Sequence, residues 1–277
     1  MIIDSHQHFW TLARGDYPWP NDSVAPIFRD FTPDDLRPLL TRSGVDQTVL
    51  VQATDTVAET EFLLDIARQT GFVAGVVGWV DLTASDAIAT IDRLRQDPAL
   101  KGLRPMLQGI AQTDWILQDD AQPALAHMAS TGLCFDALIQ PRHLPVIARL
   151  AQQHPNLPIV IDHIAKPQMG AARLPDAAFI DGMHQLAACG SVRCKLSGMV
   201  TEVGPGWRTE DLMPFLEVVL DLFGPDRVMF GSDWPVLNLA SDYAAWMAFV
   251  HKAIEPYPDA EKDMILGGAA QQFYGLA

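Results

Sequence analysis

Eight apolar segments, each followed by a stretch of helical periodicity, recur along this chain, and that alternation leaves few folds open. The apolar segments start at Ile2-Ile3 and then run over Gln47–Ala53, Val73–Leu82, Leu100–Leu107, Cys134–Ile139, Leu157–Ile164, Val192–Leu196 and Arg227–Gly231. Between and after them the spacing predicts helices over Pro33–Ser43, Thr56–Thr70, Ala84–Gln96, Gln122–Thr131, Pro141–His154, Pro175–Cys189, Thr209–Phe223 and Ala240–Ile254. Thr32 before Pro33 is a helix-opening pair, since the hydroxyl can cap and proline suits the first helical position. Strict strand–helix alternation implies a parallel sheet, and eight units is the count that closes a (β/α)8 TIM barrel. The strands are apolar almost throughout, as strands covered on both faces must be. No Gly-x-Gly-x-x-Gly follows the first strand, so an open dinucleotide-binding sheet is disfavoured. With no compositional break to mark a linker, residues 1–277 read as one α/β domain. A helical tail is expected over Asp259–Tyr274, broken near Gly267-Gly268.

In such a barrel the chemistry collects where strands end, at their carboxyl termini. The first strand runs into Asp4, His6 and His8; alternation of side chains along a strand would put these three on one face. Two imidazoles two residues apart can hold a metal or donate hydrogen bonds to a substrate oxygen. Further polar groups fall at the other strand ends: Gln52, Asp81, Arg104, Asp136, Asp162-His163, Lys195 with Ser197, and Ser232-Asp233. Singly, each has an ordinary reading as an ion pair, a snorkelling stem or a helix cap. Together they are hard to attribute to packing, which would place Val, Ile or Leu there.

The chain carries 19 Lys and Arg against 34 Asp and Glu, a formal charge of −15. Such a charge repels phosphate backbones and anionic lipid, so neither nucleic acid nor membrane is an expected partner. The three cysteines, Cys134, Cys189 and Cys194, form no Cys-x-x-Cys pair and read as reduced thiols. No signal-like start and no apolar run of membrane-spanning length is visible, so a soluble cytoplasmic protein is expected, a monomer or small homo-oligomer.

The strings D-S-H-Q-H-F-W (Asp4–Trp10), V-V-G-W-V-D-L (Val76–Leu82), K-G-L-R (Lys101–Arg104), I-D-H-I-A-K-P (Ile161–Pro167), C-K-L-S-G (Cys194–Gly198) and F-G-S-D-W-P (Phe230–Pro235) together resemble the lactonase branch of the amidohydrolase superfamily, the amidohydrolase 2 type. The resemblance spans essentially the whole chain. It implies a distorted TIM barrel that opens lactones of sugar acids or dicarboxylic acids, as L-fucono-, L-rhamnono- and pyrone-dicarboxylate lactonases do. Carried over position by position, it marks His6, His8, His163 and Asp233 as catalytic residues and as ligands of one divalent ion, zinc or manganese, with metal-free hydrogen bonding as the other option. A second metal is disfavoured because Arg104 stands where binuclear members place a carboxylated lysine or glutamate. Pro105, where His is common, and Ala269, where Asn is common, also depart from the pattern. The resulting expectation is hydrolysis with Asp233 as base and His6, His8 and His163 polarising the carbonyl. Arg104, Lys195 and Gln52 are candidates for binding a lactone substrate, and Trp10, Trp79 and Trp234 for stacking on its ring, with rim packing as the alternative for the tryptophans. A lactone isomerase, a metal-dependent decarboxylase and a non-catalytic sugar-acid binder are the rival readings.

Overall fold

A computed structural model describes residues 1–277. Its eight strands lie in one parallel sheet in chain order: β1 (Ile3–Gln7), β2 (Gln47–Val51), β3 (Val73–Gly78), β4 (Leu100–Leu103), β5 (Cys134–Ala137), β6 (Ile159–Ile161), β7 (Val192–Leu196) and β8 (Val228–Phe230). Helices wrap the outside: α1 (Pro33–Ser43), α2 (Val57–Gln69), α3 (Ala87–Leu94), α4 (Gln122–Thr131), α5 (Leu144–Gln153), α6 (Ala177–Ala187), α7 (Met199–Val203), α8 (Thr209–Phe223) and α9 (Tyr243–Ala253). This is the (β/α)8 barrel that the alternation implies. Its distortion lies at the closing seam: β8 meets β1 only near their upper ends, where Asp233 N donates to the His6 carbonyl at 2.8 Å and His8 N to the Trp234 carbonyl at 2.7 Å.

Several strands stop earlier than their apolar runs suggest. β4 ends at Leu103 because Pro105 has no N–H to continue the ladder. Past Gly78, the Trp79 amide bonds the Thr60 hydroxyl at 2.8 Å and not a neighbouring strand. β6 ends at Ile161, where the backbone turns into a left-handed path. Most helices start or end within a few residues of expectation, and three are opened by a side-chain cap: Thr56 accepts from Glu59 N, Asp176 from Phe179 N and Asp242 from Ala245 N. α7 is an addition to the expected set.

The tail is also continuous where a break is expected. α10 (Asp259–Asp263) passes through a wider π-helical stretch, Met264–Gly268, into α11 (Ala269–Tyr274). The glycines serve contact here: a Cβ on Gly267 would stand 2.3 Å from the Met1 carbonyl oxygen. α11 closes the lower mouth of the barrel, where Ala269, Ala270, Tyr274 and Leu276 pack with Ile3, Val49, Val51, Val77, Cys134, Val160 and Met229. This buried layer is the barrel's own core, separate from the larger core between sheet and helices. The three cysteines are free thiols, and no helix is long and apolar enough to cross a membrane.

Candidate active site

The site forms at the irregular seam. The pairing of β1 with β2 slips between Asp4 and Gln7, which breaks the simple alternation along the strand. Asp4 consequently does not share the histidines' face, contrary to the expectation from spacing. Its carboxylate accepts from Ser232 N at 2.8 Å and from the Tyr243 hydroxyl of α9 at 2.9 Å, tying β8 and the helical layer to β1. Burial pushes its carboxyl up to about 6, against those hydrogen bonds. His6 and His8 turn to the barrel's upper mouth. A Cβ on Gly231 would come within 2.9 Å of the His6 Cβ, so the glycine of F-G-S-D-W-P leaves room for that ring.

Hydrogen bonds on the far sides of the rings decide what faces the site. His8 Nδ1 lies 2.7 Å from the Val51 carbonyl oxygen, which can only accept, so Nδ1 carries the proton and Nε2 presents its lone pair. His6 Nδ1 sits 3.3 Å from the Asp162 carboxylate and 3.2 Å from the Lys195 ammonium, so its Nε2 is the nitrogen turned to the site. The two Nε2 atoms face each other at 3.2 Å, with Asp233 Oδ1 3.3 Å from His8 Nε2 and 3.8 Å from His6 Nε2. His163 Nε2 stands 3.8 Å from the same oxygen. Ligand atoms on a tetrahedral zinc ion are about 3.3 Å apart, given bonds of about 2.0–2.1 Å. Two imidazole nitrogens and a carboxylate oxygen at such separations suit a cation held by His6, His8 and Asp233. Burial pushes His6 well below and His163 down to about 4, so both rings are neutral and fit for ligation. Burial alone would raise Asp233, but the surrounding His163, His8 and His6 outweigh it and hold the group below the usual carboxylate range.

His163 is delivered by an unusual backbone. His163, Ile164, Ala165 and Lys166 have φ of 54°, 47°, 64° and 49°, four L-residues in succession in the left-handed region, and Asp233 has φ 59°. Each such residue costs about 1–2 kcal/mol, and strain of this kind concentrates at functional sites. Ser197 Oγ lies 2.9 Å from His163 Nδ1, and a Cβ on Gly198 would stand 2.5 Å from that nitrogen. The Ser-Gly of C-K-L-S-G therefore orients the ring and makes space for it.

Below the histidines lies a layer of buried charge. Lys195 Nζ donates to Asp136 Oδ2 at 2.5 Å, forms an ion pair with Asp162 Oδ1 at 3.0 Å, and lies 3.2 Å from His6 Nδ1. Burial opposes its charge, but the two carboxylates outweigh that and raise it, so Lys195 remains an ammonium. The Tyr274 hydroxyl of α11 donates to Asp136 Oδ2 at 2.7 Å, which carries the network from the barrel floor to His6. Lys195 is fully buried and does not reach the cavity, so its expected contact with substrate gives way to a supporting role. Gln52 is buried likewise: its amide donates to the Arg104 carbonyl at 2.8 Å, and its side-chain oxygen accepts from Arg104 Nη2 at 3.2 Å. Arg104 also meets Asp162 and His6 Nε2, both at 3.3 Å, yet its side chain does line the cavity.

The cavity above this layer measures about 610 Å³. His8, Arg104, His163 and Asp233 form its polar floor, and Trp19, Met106, Leu138 and Leu239 are among its apolar walls. Trp10 and Trp234 are not part of it: Trp10 donates to the Arg29 carbonyl at 2.7 Å, and both rings pack edge-on against Phe31. Trp79 lines a neighbouring pocket with Pro105 and Trp115. The tryptophan that does face the cavity is Trp19, held by Nε1 donating to the Ala53 carbonyl at 2.8 Å. Its signal was its place inside the long Thr11–Arg29 loop, between two prolines. Lys166, Thr201 and Glu202 also line the cavity and were not singled out by sequence. Under this rim, the buried Glu59 carboxylate accepts from Ala53 N at 3.0 Å and Thr54 N at 2.9 Å; burial pushes it up to about 7 despite those bonds.

A family model described as amidohydrolase matches residues 3–276. The chain belongs to the amidohydrolase family. Among curated proteins, this amidohydrolase is 47% identical to an L-fucono-1,5-lactonase of Burkholderia ambifaria, over 99% of this chain and 95% of that one. It is 36% identical to an L-fucono-1,5-lactonase of Burkholderia multivorans, over 99% and 96%. Among solved structures, a Burkholderia multivorans amidohydrolase with bound zinc matches with a TM-score of 0.92 and 35% identity, covering 100% of both chains.

Proposed function

We propose that this lactone-hydrolysing enzyme opens L-fucono-1,5-lactone or a closely similar 1,5-lactone of a sugar acid. The observation that carries the reading is the convergence of His8 Nε2 and Asp233 Oδ1, at the floor of one cavity, with His6 Nε2 directly beneath it. Lactone opening requires a water nucleophile, a proton acceptor and stabilisation of the oxyanion that forms on the carbonyl. Asp233 is an anion at neutral pH and accepts the proton of the water that attacks the carbonyl carbon. As the acyl–oxygen bond breaks, Asp233 returns that proton to the departing ring oxygen. Arg104 and His163 face the developing oxyanion, and Trp19 with the leucines of the rim excludes bulk water. His6, His8 and Asp233 would hold one divalent ion, for which zinc suits the donor set, with His163 beside it. When bound, such an ion supplies acidification of water and polarisation of the carbonyl, which matters because an aspartate held at low pKa is a weak base alone.

The test is proton release from a panel of sugar-acid lactones, before and after chelation. The expected outcome is turnover of L-fucono-1,5-lactone that disappears with chelator and returns with zinc. Turnover that survives chelation would leave the imidazoles and Arg104 as direct hydrogen-bond donors. No acid release from any lactone would overturn the reading, and carbon dioxide release from an aromatic acid would replace it with a decarboxylase.

A further inference from the structure

The cavity carries a charged pair that the hydrolytic chemistry does not use. Lys166 ends the left-handed turn that begins at His163, and both of these residues line the cavity while Ile164 and Ala165 between them are buried in the core. Glu202 reaches the same wall from α7, the short helix that starts directly after the Ser197-Gly198 step holding the His163 ring. The Nζ of Lys166 stands 3.6 Å from Glu202 Oε1, with side-chain exposures of 23% and 27%. That separation is beyond a good hydrogen bond, so each group keeps most of its bonding capacity for something else. An ammonium has three donors and a carboxylate about four acceptor positions. Neighbouring hydroxyls on a sugar ring offer the complement, one hydrogen given to the carboxylate and one oxygen receiving from the ammonium. Two further features separate this pair from an ordinary surface ion pair. It stands on two segments whose backbone is committed to placing His163, so its distance from the reacting centre is fixed by the same strain. Apart from the floor, the lining also includes Thr54, Asp55, Gln108 and Thr201 as polar residues, and Lys166 and Glu202 are the facing pair of opposite charge among them.

We propose that Lys166 and Glu202 together read a vicinal diol on the substrate, and so select polyhydroxylated lactones over unsubstituted ones. This deepens the sugar-lactone reading and rests on it. Burial raises the Glu202 carboxyl above its ordinary value while Lys166 opposes the shift, so a partner that donates hydrogen bonds to it is favoured over bulk water. A polar site built for hydroxyls discriminates against a ligand that lacks them, because its polar groups then lose those partners.

The experiment compares Glu202→Gln and Lys166→Met with the parent enzyme on L-fucono-1,5-lactone and on δ-valerolactone, which has the same ring and no hydroxyls. The expected result is a loss of about 10- to 100-fold in kcat/KM on the sugar lactone, mostly through KM, with the δ-valerolactone rate changed less than about twofold. Equal losses on both lactones would assign the pair to catalysis or folding and overturn the proposal, as would no loss on either. Calorimetric binding of L-fuconate and of 5-hydroxypentanoate to the same three proteins gives an arm independent of turnover. Fuconate binding weakened in the variants supports the diol contact even if the parent enzyme opens only simple lactones, a result that would count against the proposed substrate alone. Fuconate binding unchanged in both variants overturns it.

Discussion

At its lower end the barrel is filled by Ile3, Val49, Val51, Val77, Val160 and Met229 and closed by α11; at its upper end strands of the same sheet deliver His6, Arg104, Asp162, His163, Lys195 and Asp233. The lower layer is apolar side chains, and every residue of β1–β8 that meets it follows the inward–outward pattern of a packed core. The upper layer holds buried charge, facing imidazole nitrogens and five non-glycine residues at positive φ. The difference shows where stability and chemistry reside in one continuous sheet. Burying Tyr274 and Leu276 contributes about 25 cal/mol for each Å² of apolar surface removed from water, whereas each left-handed residue above costs about 1–2 kcal/mol. A (β/α)8 scaffold tolerates a strained rim because the floor is well packed.

Changes at the top should therefore act on rate and changes at the bottom on stability. The largest expected effect is Asp233→Asn, which should lower kcat about 10³-fold while leaving the melting temperature nearly unchanged, checked by initial rates and thermal denaturation. A drop in melting temperature of equal weight would show that the upper cluster is structural after all. Glu59 gives the next largest test. Its folded value of about 7 lies above the unfolded value of 4.5, so the native state retains a proton that the unfolded chain gives up. Stability from this group is therefore full below about pH 4.5 and falls as pH rises to about 7, by about 3 kcal/mol in all. Urea titrations of Glu59→Gln at pH 5 and pH 8 should show that component of the decline removed. Leu276→Ala should cost about 2–3 kcal/mol in urea denaturation with kcat/KM unchanged, as a truncation in the lower core would. Tyr274→Phe should cost about 1.5 kcal/mol and is the one floor substitution expected to reach the rate, because its hydroxyl bonds Asp136. If its kcat is unaltered, the two ends are independent and the connection through Lys195 is only structural.

The upper and lower ends also differ in how far the sequence discloses them. The barrel was legible because its signal is a repeated period, and the histidine pair and Asp233 were legible because strand ends of a barrel converge. Burial depth has no such signature. Lys195, Gln52 and Arg104 all stand at strand ends, yet only Arg104 lines the cavity, because Asp136 and Asp162 hold Lys195 beneath it. Asp4 looked like a third inward group until the slip in β1 turned it to Tyr243. The left-handed run at His163 contains no glycine to announce it, so Lys166 read as an unremarkable member of a motif. Trp10 and Trp234 were indistinguishable by type from Trp19, and only packing against Phe31 separates them. At the floor, Gly267-Gly268 resembled a helix break because close approach to the Met1 carbonyl and conformational freedom call for the same residue.

The docking of α11 has a practical consequence for anyone who fixes this protein to a surface. Gln47 Nε2 donates to the Ala277 carbonyl at 3.3 Å and Lys101 Nζ to the Gly275 carbonyl at 3.3 Å, so the end of the chain lies against the lower rim. A tether there would pull on α11, whose Tyr274 hydroxyl is connected through Asp136 and Lys195 to His6. Attachment through Cys189, the one thiol of the three that is not buried, places the anchor on the flank of the molecule and leaves that line of hydrogen bonds slack.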